Sequence, residues 1–167
     1  MHRATRPSIS LLDPYTGSEP LPLYATTVTV IGGESAHGRS SGHARSATGE
    51  LDVSLRLPVE LGGAGGGTNP EQLFAAGFAA CFHGALTLVA TKRRIRLPAN
   101  LMISASTTFQ RDPADGLFAI ALDVEVSMPG VGADDARELV AETEAICPYA
   151  KMAREGIRHT VRVIGTV

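Results

Sequence analysis

Residues 73–90, LFAAGFAACFHGALTLVA, contain no Asp, Glu, Lys or Arg, and this uncharged run constrains the fold more than any other segment. Such a stretch has to be covered on much of its surface, by protein or by lipid. Its glycines and His83 make it a marginal membrane span, so a core or interface helix is the expectation. Asn69 stands where a cap belongs, Pro70 suits the first helical position, and Glu71 falls in the first turn, where a carboxylate complements the helix dipole. The helix is therefore expected from Pro70 to about Thr91, with the basic stretch KRRIR after it and Pro98 closing the connection. In its middle sits a thiol, Cys81, next to Phe82 and His83.

The rest of the chain reads mainly as strands. Residues 24–31 (YATTVTVI) are β-branched and alternating, and residues 51–57 (LDVSLRL) alternate as a half-buried strand does. The intervening GGESAHGRSSGHARSATGE reads as a loop, and PVELGGAGGGTNP as a flexible connection into the helix. Residues 101–110 and 117–127 form a long antiparallel hairpin around RDPADG, a strong turn signal. A second helix opens at Ala133 or Asp134, with Ala136, Leu139, Val140 and Ile146 on one face. Pro148 interrupts it, a short helical PYAKMARE follows, and Gly156 leads to a last strand over residues 157–163. This order is that of an α+β domain. Residues 1–22, rich in Pro, Ser and Thr, are expected to be a loose arm ahead of a single domain over residues 23–167.

Composition removes several function classes. A formal charge of −2 gives no reason to expect nucleic acid or an anionic membrane as partner, and with no Trp there is little to stack bases on. The first residues lack the apolar run of a signal peptide, so a cytoplasmic protein is expected. GGAGGGT lacks the Gly-Lys-Ser/Thr ending of a phosphate-binding loop. No Gly-x-Ser-x-Gly elbow marks a serine nucleophile. His37, His43, Cys81, His83 and Cys147 include no pair at metal-binding spacing, and residues two apart on a helix diverge, so Cys81 and His83 do not share an ion. His83 reads as a core or interface histidine.

Two cysteines remain, Cys81 and Cys147. Free cysteines are commonly small buried hydrophobes, and in a reducing compartment a permanent disulfide is unusual. Cys147, however, precedes Pro148 and can occupy the N-cap of the short helix, where the positive helix end favours a thiolate. It is either a resolving nucleophile or a buried helix-end cysteine. Glu71 is equally open. Ten helical residues set it about 15 Å from Cys81 along one straight helix. The two act together only if the segment bends or a second subunit contributes; otherwise Glu71 simply stabilises the helix start.

TNPEQLFAAGFAACF, residues 68–82, resembles the signature of the organic hydroperoxide resistance branch of the OsmC/Ohr family. That signature runs Asn-Pro-Glu-Gln-Leu-Phe-Ala-Ala-Gly-Tyr-x-Ala-Cys-Phe, with Phe78 here in place of the Tyr. VELGGAGGGT, ICPYA at residues 146–150 and YATTVTVIGG match the same family in the same order, so the likeness extends from about residue 23 to the C-terminus. It implies antiparallel sheets packed around long central helices in an intertwined homodimer with its sites at the subunit interface. It further implies a thiol peroxidase that reduces organic hydroperoxides, with Cys81 as peroxidatic and Cys147 as resolving cysteine, and Glu71 positioning an active-site Arg. No bound cofactor or metal is implied; the reductant would be an external dithiol, a dihydrolipoyl group on a lipoylated protein. The family's Arg directly follows the Gly-Gly pair, where this chain has Glu34, and the loop to Leu51 is longer than usual. Arg39 is the best substitute, since it precedes GHARSATGEL at nearly the expected distance, and Arg45 is the second choice. Two rivals are a non-catalytic binder of lipids or small hydrophobes on the same fold, and an OsmC-type peroxidase with another peroxide preference.

Overall fold

The long helix begins where its capping residue places it. In the computed structural model, which describes residues 11–33 and 41–165, the Asn69 side-chain oxygen accepts the Gln72 backbone N–H at 2.9 Å. That bond satisfies one orphan donor of the first turn. Helix α1 then runs unbroken over Pro70–Arg93. Arg94 ends it by adopting a left-handed φ of 59°. The Ile95 N–H returns to the Ala90 carbonyl at 2.9 Å and the Arg94 N–H to that of Thr91 at 3.1 Å, the bond pair that closes many helices.

The described chain forms two compact units: residues through Ala76 together with Ser106–Asp123, and Gly77–Ala105 together with residues from Val124 onward. The first holds a three-stranded antiparallel sheet in the order β1 (Val28–Ile31), β2 (Gly42–Ser46), β3 (Asp52–Leu55). β2 lies in the segment that reads as loop, because GHARS contains no β-branched residue and carries a glycine. Register makes it a strand: Ala44 lies opposite Val30 and Val53, and Ala44 and Ser46 are buried. The Ser46 hydroxyl accepts the Leu51 N–H at 3.0 Å and its own N–H reaches the Leu51 carbonyl at 2.8 Å, closing the turn to β3.

The Gly-rich segment after β3 is not the flexible connection its composition implies. It contains a 3-10 turn over Val59–Leu61. The N–H groups of Gly62, Gly63 and Gly65 donate to the carbonyls of Val59, Pro58 and Leu57. A Cβ at Gly63 would lie 2.0 Å from the Leu57 carbonyl oxygen, so only glycine fits there.

β4 (Met102–Arg111) and β5 (Phe118–Ser127) make the expected hairpin. Its turn is held by two aspartates: Asp112 accepts the Ala114 N–H and Asp115 that of Leu117, each at 2.8 Å. In the second unit, α2 (Ala133–Ile146) and α3 (Pro148–Glu155) follow. Phe78, Phe82, Ala85, Leu86, Val89 and Ala90 are the buried residues of α1, spaced as one helical face. Leu86, Val89 and Ala90 pack with Met128 and Leu139, and Ile95, Leu97 and Val140 flank them. Arg93 bridges the Glu138 and Glu142 carboxylates at 2.8 and 2.9 Å and ties the end of α1 to α2.

Two further expectations fail. Residues 157–163 alternate as a strand would, yet they enter neither sheet, and Val161 and Val163 are 86% and 81% exposed. A strand exists only with a partner edge, and the described residues offer this segment none. Ile146, expected on the inner face of α2, is exposed instead, because the chain turns one residue later and Cys147 takes the buried position. The described residues thus form an α+β chain of three α-helices and two antiparallel sheets.

Leu139 has no exposed surface. Leu139→Ala is expected to destabilise the protein by about 3 kcal/mol, seen as a lower urea midpoint with an unchanged m-value.

Candidate functional site

Pro148 shapes the corner that carries one of the two thiols. A residue before proline is pushed out of the α region, and Cys147 accordingly sits at φ −63°, ψ 122°. It is both the last cap of α2 and the first cap of α3. Its N–H donates to the Thr143 carbonyl at 2.8 Å, and its own carbonyl accepts the Lys151 N–H at 2.9 Å. Arg154 on α3 reaches back to donate to the Glu144 carbonyl at 2.8 Å, an orphan acceptor of the last turn of α2, with the Glu144 carboxylate 3.9 Å away. The corner is pinned at both ends.

Here the second unit brings the two sulfurs together. Cys147 Sγ lies 3.6 Å from Cys81 Sγ, within hydrogen-bonding reach for two sulfurs, across 66 positions of sequence. Both cysteines are free. Cys147 is completely buried, whereas Cys81 is partly exposed. The pair is therefore asymmetric: Cys81 keeps some contact with solvent and Cys147 has none.

The electrostatics of Cys81 are opposed. Burial pushes its thiol above the ordinary value, because desolvation disfavours the thiolate, and the neighbouring Cys147 adds to the rise. Against this, the backbone N–H of Tyr149 donates to the Cys81 sulfur and favours the charged form. The positive end of α3 thus serves Cys81 rather than Cys147, whose side chain makes no capping bond. Cys147 occupies the expected N-cap position, but the amide that position offers goes to the other cysteine.

Aromatic rings wall the pair. Phe78 and Phe82, one turn apart on α1, stack with centroids 6.4 Å apart, and Tyr149 meets Phe78 edge-on at 6.2 Å. The Tyr149 ring rests over Gly77: a Cβ there would lie 3.2 Å from Tyr149 Cε2 and 3.3 Å from its hydroxyl oxygen. Glycine inside a helix costs about 0.5–1 kcal/mol relative to alanine, so the ring occupies space obtained at a cost to α1.

The other sequence candidates divide. Glu71 lies in the first turn of α1, partly buried, in the first unit, and α1 shows no break between it and Cys81. Arg39 and Glu34 fall outside the described residues. Arg45 is on β2, 67% exposed, with its Nε 3.5 Å from Asp52, which also pairs with His43. His83 is exposed, so it is not a core histidine. Among the described residues no three His, Cys, Asp or Glu side chains gather as a metal site. The first unit also has an open cavity of about 760 Å³ lined by Gly33, Ser41, His43, Ser54 and Arg56 among others. Three of the loop's glycine N–H groups, those of Gly62, Gly63 and Gly65, are already bonded within their own loop.

Sequence reasoning missed three contributors. The Tyr149 amide left a trace, since ICPYA puts a helix start beside a cysteine. Gly77 had a weaker one, as a glycine in an otherwise strong helix former, and Arg154 had none.

Three comparisons bear on this geometry. The model of the OsmC-like protein family matches residues 63–162, more than half of the chain. An organic hydroperoxide resistance protein of Xanthomonas axonopodis pv. citri is 40% identical over 140 residues, 83% of this chain and 93% of the relative. Among solved structures, an organic hydroperoxide resistance protein OsmC from Legionella pneumophila superposes with a TM-score of 0.71 at 36% identity, covering 81% of this chain and 93% of that one. The organic hydroperoxide resistance protein OhrB of Bacillus subtilis gives 0.69 at 37% identity, with 80% and 93% covered.

Because Cys147 raises the Cys81 thiol through both its hydrogen bond and its charge, Cys147→Ala should let Cys81 ionise at a lower pH. The thiolate absorbance near 240 nm, followed against pH, reads this directly; an unchanged or higher midpoint would contradict the coupling.

Proposed function

The chain belongs to the OsmC-like protein family, and we propose that within it the protein is a two-cysteine peroxidase that reduces organic hydroperoxides to alcohols. The observation that carries this reading is the 3.6 Å approach of an accessible Cys81 sulfur and a buried Cys147 sulfur. The names of its relatives support the substrate class.

In the proposed cycle the Cys81 thiolate attacks the distal oxygen of the peroxide, the O–O bond breaks, and the alkoxide leaves as alcohol after taking a proton. Cys81 becomes a sulfenic acid. Cys147 sulfur then attacks the Cys81 sulfur, water leaves, and a disulfide forms; the sulfurs need only close from 3.6 Å to about 2.05 Å. An external dithiol, in our reading a dihydrolipoyl group on a lipoylated protein, attacks the disulfide and is itself oxidised, returning both thiols. Phe78, Phe82 and Tyr149 give the site an apolar wall suited to the organic part of the substrate.

Burial raises the Cys81 thiol, so the cycle calls for a cation beside the sulfur. Arg39, positioned by Glu71, is our candidate, and Arg45 the alternative. We assign them within a homodimer, in a reducing cytoplasmic setting. Exposed apolar side chains support a second copy as partner: Val30 and Ile31 on β1, and Val161, Val163 and Ile164 near the C-terminus.

One equivalent of cumene hydroperoxide added to the reduced protein should consume two thiols per chain, counted after denaturation. Cys81→Ser should keep its remaining thiol, and Cys147→Ser should accumulate a Cys81 sulfenic acid that a dimedone probe labels. Survival of both thiols in the parent protein would leave a binder of small hydrophobic molecules in place of an enzyme.

A further inference from the structure

The geometry points to Tyr149 and Gly77 as a positioning pair for Cys81: the Tyr149 ring, seated in the space that Gly77 leaves open, fixes the start of α3, whose capping residue Cys147 lies 3.6 Å from the Cys81 sulfur. This rests on Cys81 being the reacting thiol, the reading given above.

Three observations meet at this point. The ring is located from two sides, since Phe78 holds its edge at 6.2 Å and 77° while α1 passes beneath it at Gly77. Gly77 lies four residues before Cys81 on α1, so the seat and the sulfur share one helical face. Tyr149 follows Pro148, which has no N–H of its own. Pro148 gives the sulfur nothing, so the Tyr149 amide is the first donor α3 can offer after the cap. The ring therefore does two things. It anchors α3, and through the backbone it sets the distance and angle of the donor that favours the Cys81 thiolate. Tyr149 is 37% exposed, and its hydroxyl is not needed for this role.

Three titratable groups among the described residues bear on Cys81 here, beside the Glu71 and Arg39 assigned to it above. Cys147 faces it from the α2–α3 corner, the Tyr149 phenol lies over Gly77, and His83 on the same helix is exposed. With Cys147 replaced by alanine, the ionisation of Cys81 can be read without its coupled neighbour. In that background the pH dependence of Cys81 alkylation by iodoacetamide is measured for the parent, Tyr149→Phe, Tyr149→Ala, Gly77→Ala and Gly77→Leu. Helix content and thermal midpoint are recorded for each.

Tyr149→Phe keeps the ring and the amide and should overlay the parent. Gly77→Ala pushes the ring by a few tenths of an ångström and should raise the alkylation midpoint slightly. Tyr149→Ala and Gly77→Leu should raise it further, lowering the rate at neutral pH roughly three- to ten-fold. Alanine and leucine are better helix formers than glycine, so the Gly77 variants separate positioning from folding. If Gly77→Leu fails to fold, Gly77→Ala and Tyr149→Ala still decide. Identical profiles across the series overturn the proposal, as does a Tyr149→Phe profile that shifts as far as Tyr149→Ala. Peroxide consumption by the two-cysteine protein is assayed separately. Shifted profiles without consumption uphold the pair and remove the peroxidase reading; consumption with unshifted profiles does the reverse.

Discussion

One steric constraint holds the chemistry of this chain in place. Pro148 forces Cys147 out of helical ψ, and that single residue becomes the end of one helix and the start of the next. A continuous helix would point its side chains outward and inward by turns. The corner instead drives one side chain fully inside, and that side chain is a thiol. Everything that follows, the Cys147 contact to Cys81, the Tyr149 amide on the same sulfur and the Arg154 tie to Glu144, depends on where this corner lies.

Burial and reactivity pull against each other at Cys81. The apolar face that stabilises α1, with Phe78, Phe82 and Leu86 buried, also disfavours the charge a nucleophilic sulfur needs. A single backbone amide answers part of that demand. Backbone donors are well suited to it, since they hold their position by helix geometry and lose no side-chain entropy on binding the anion. The remaining demand falls on a side-chain cation, which in our reading comes from the segment around Arg39.

The sequence was most legible where local physics decides. Asn69, Pro70 and the uncharged run of α1 marked its start and its need for cover, and RDPADG marked the hairpin turn that its two aspartates hold. Cys81 and Cys147 were legible as candidates from their motifs, and their meeting followed from the family resemblance alone, because contact across 66 positions leaves no local trace. β2 was missed because its strand character comes from register with its neighbours and not from its own residues. Residues 157–163 failed in the opposite direction: alternation proposes a strand, and a partner edge has to accept it. The end of α1 was read only approximately, since Arg94 takes a conformation that composition would assign to a glycine.

The unequal exposure of the two sulfurs also bears on how the proposed cycle restarts. Once they are joined, an incoming dithiol meets the sulfur of Cys81, because that of Cys147 is fully buried. Attack there expels Cys147 as the leaving group and passes through a mixed disulfide on Cys81. In the proposed cycle, oxidant and reductant thus meet the same sulfur in turn, and one must have left it before the other can react.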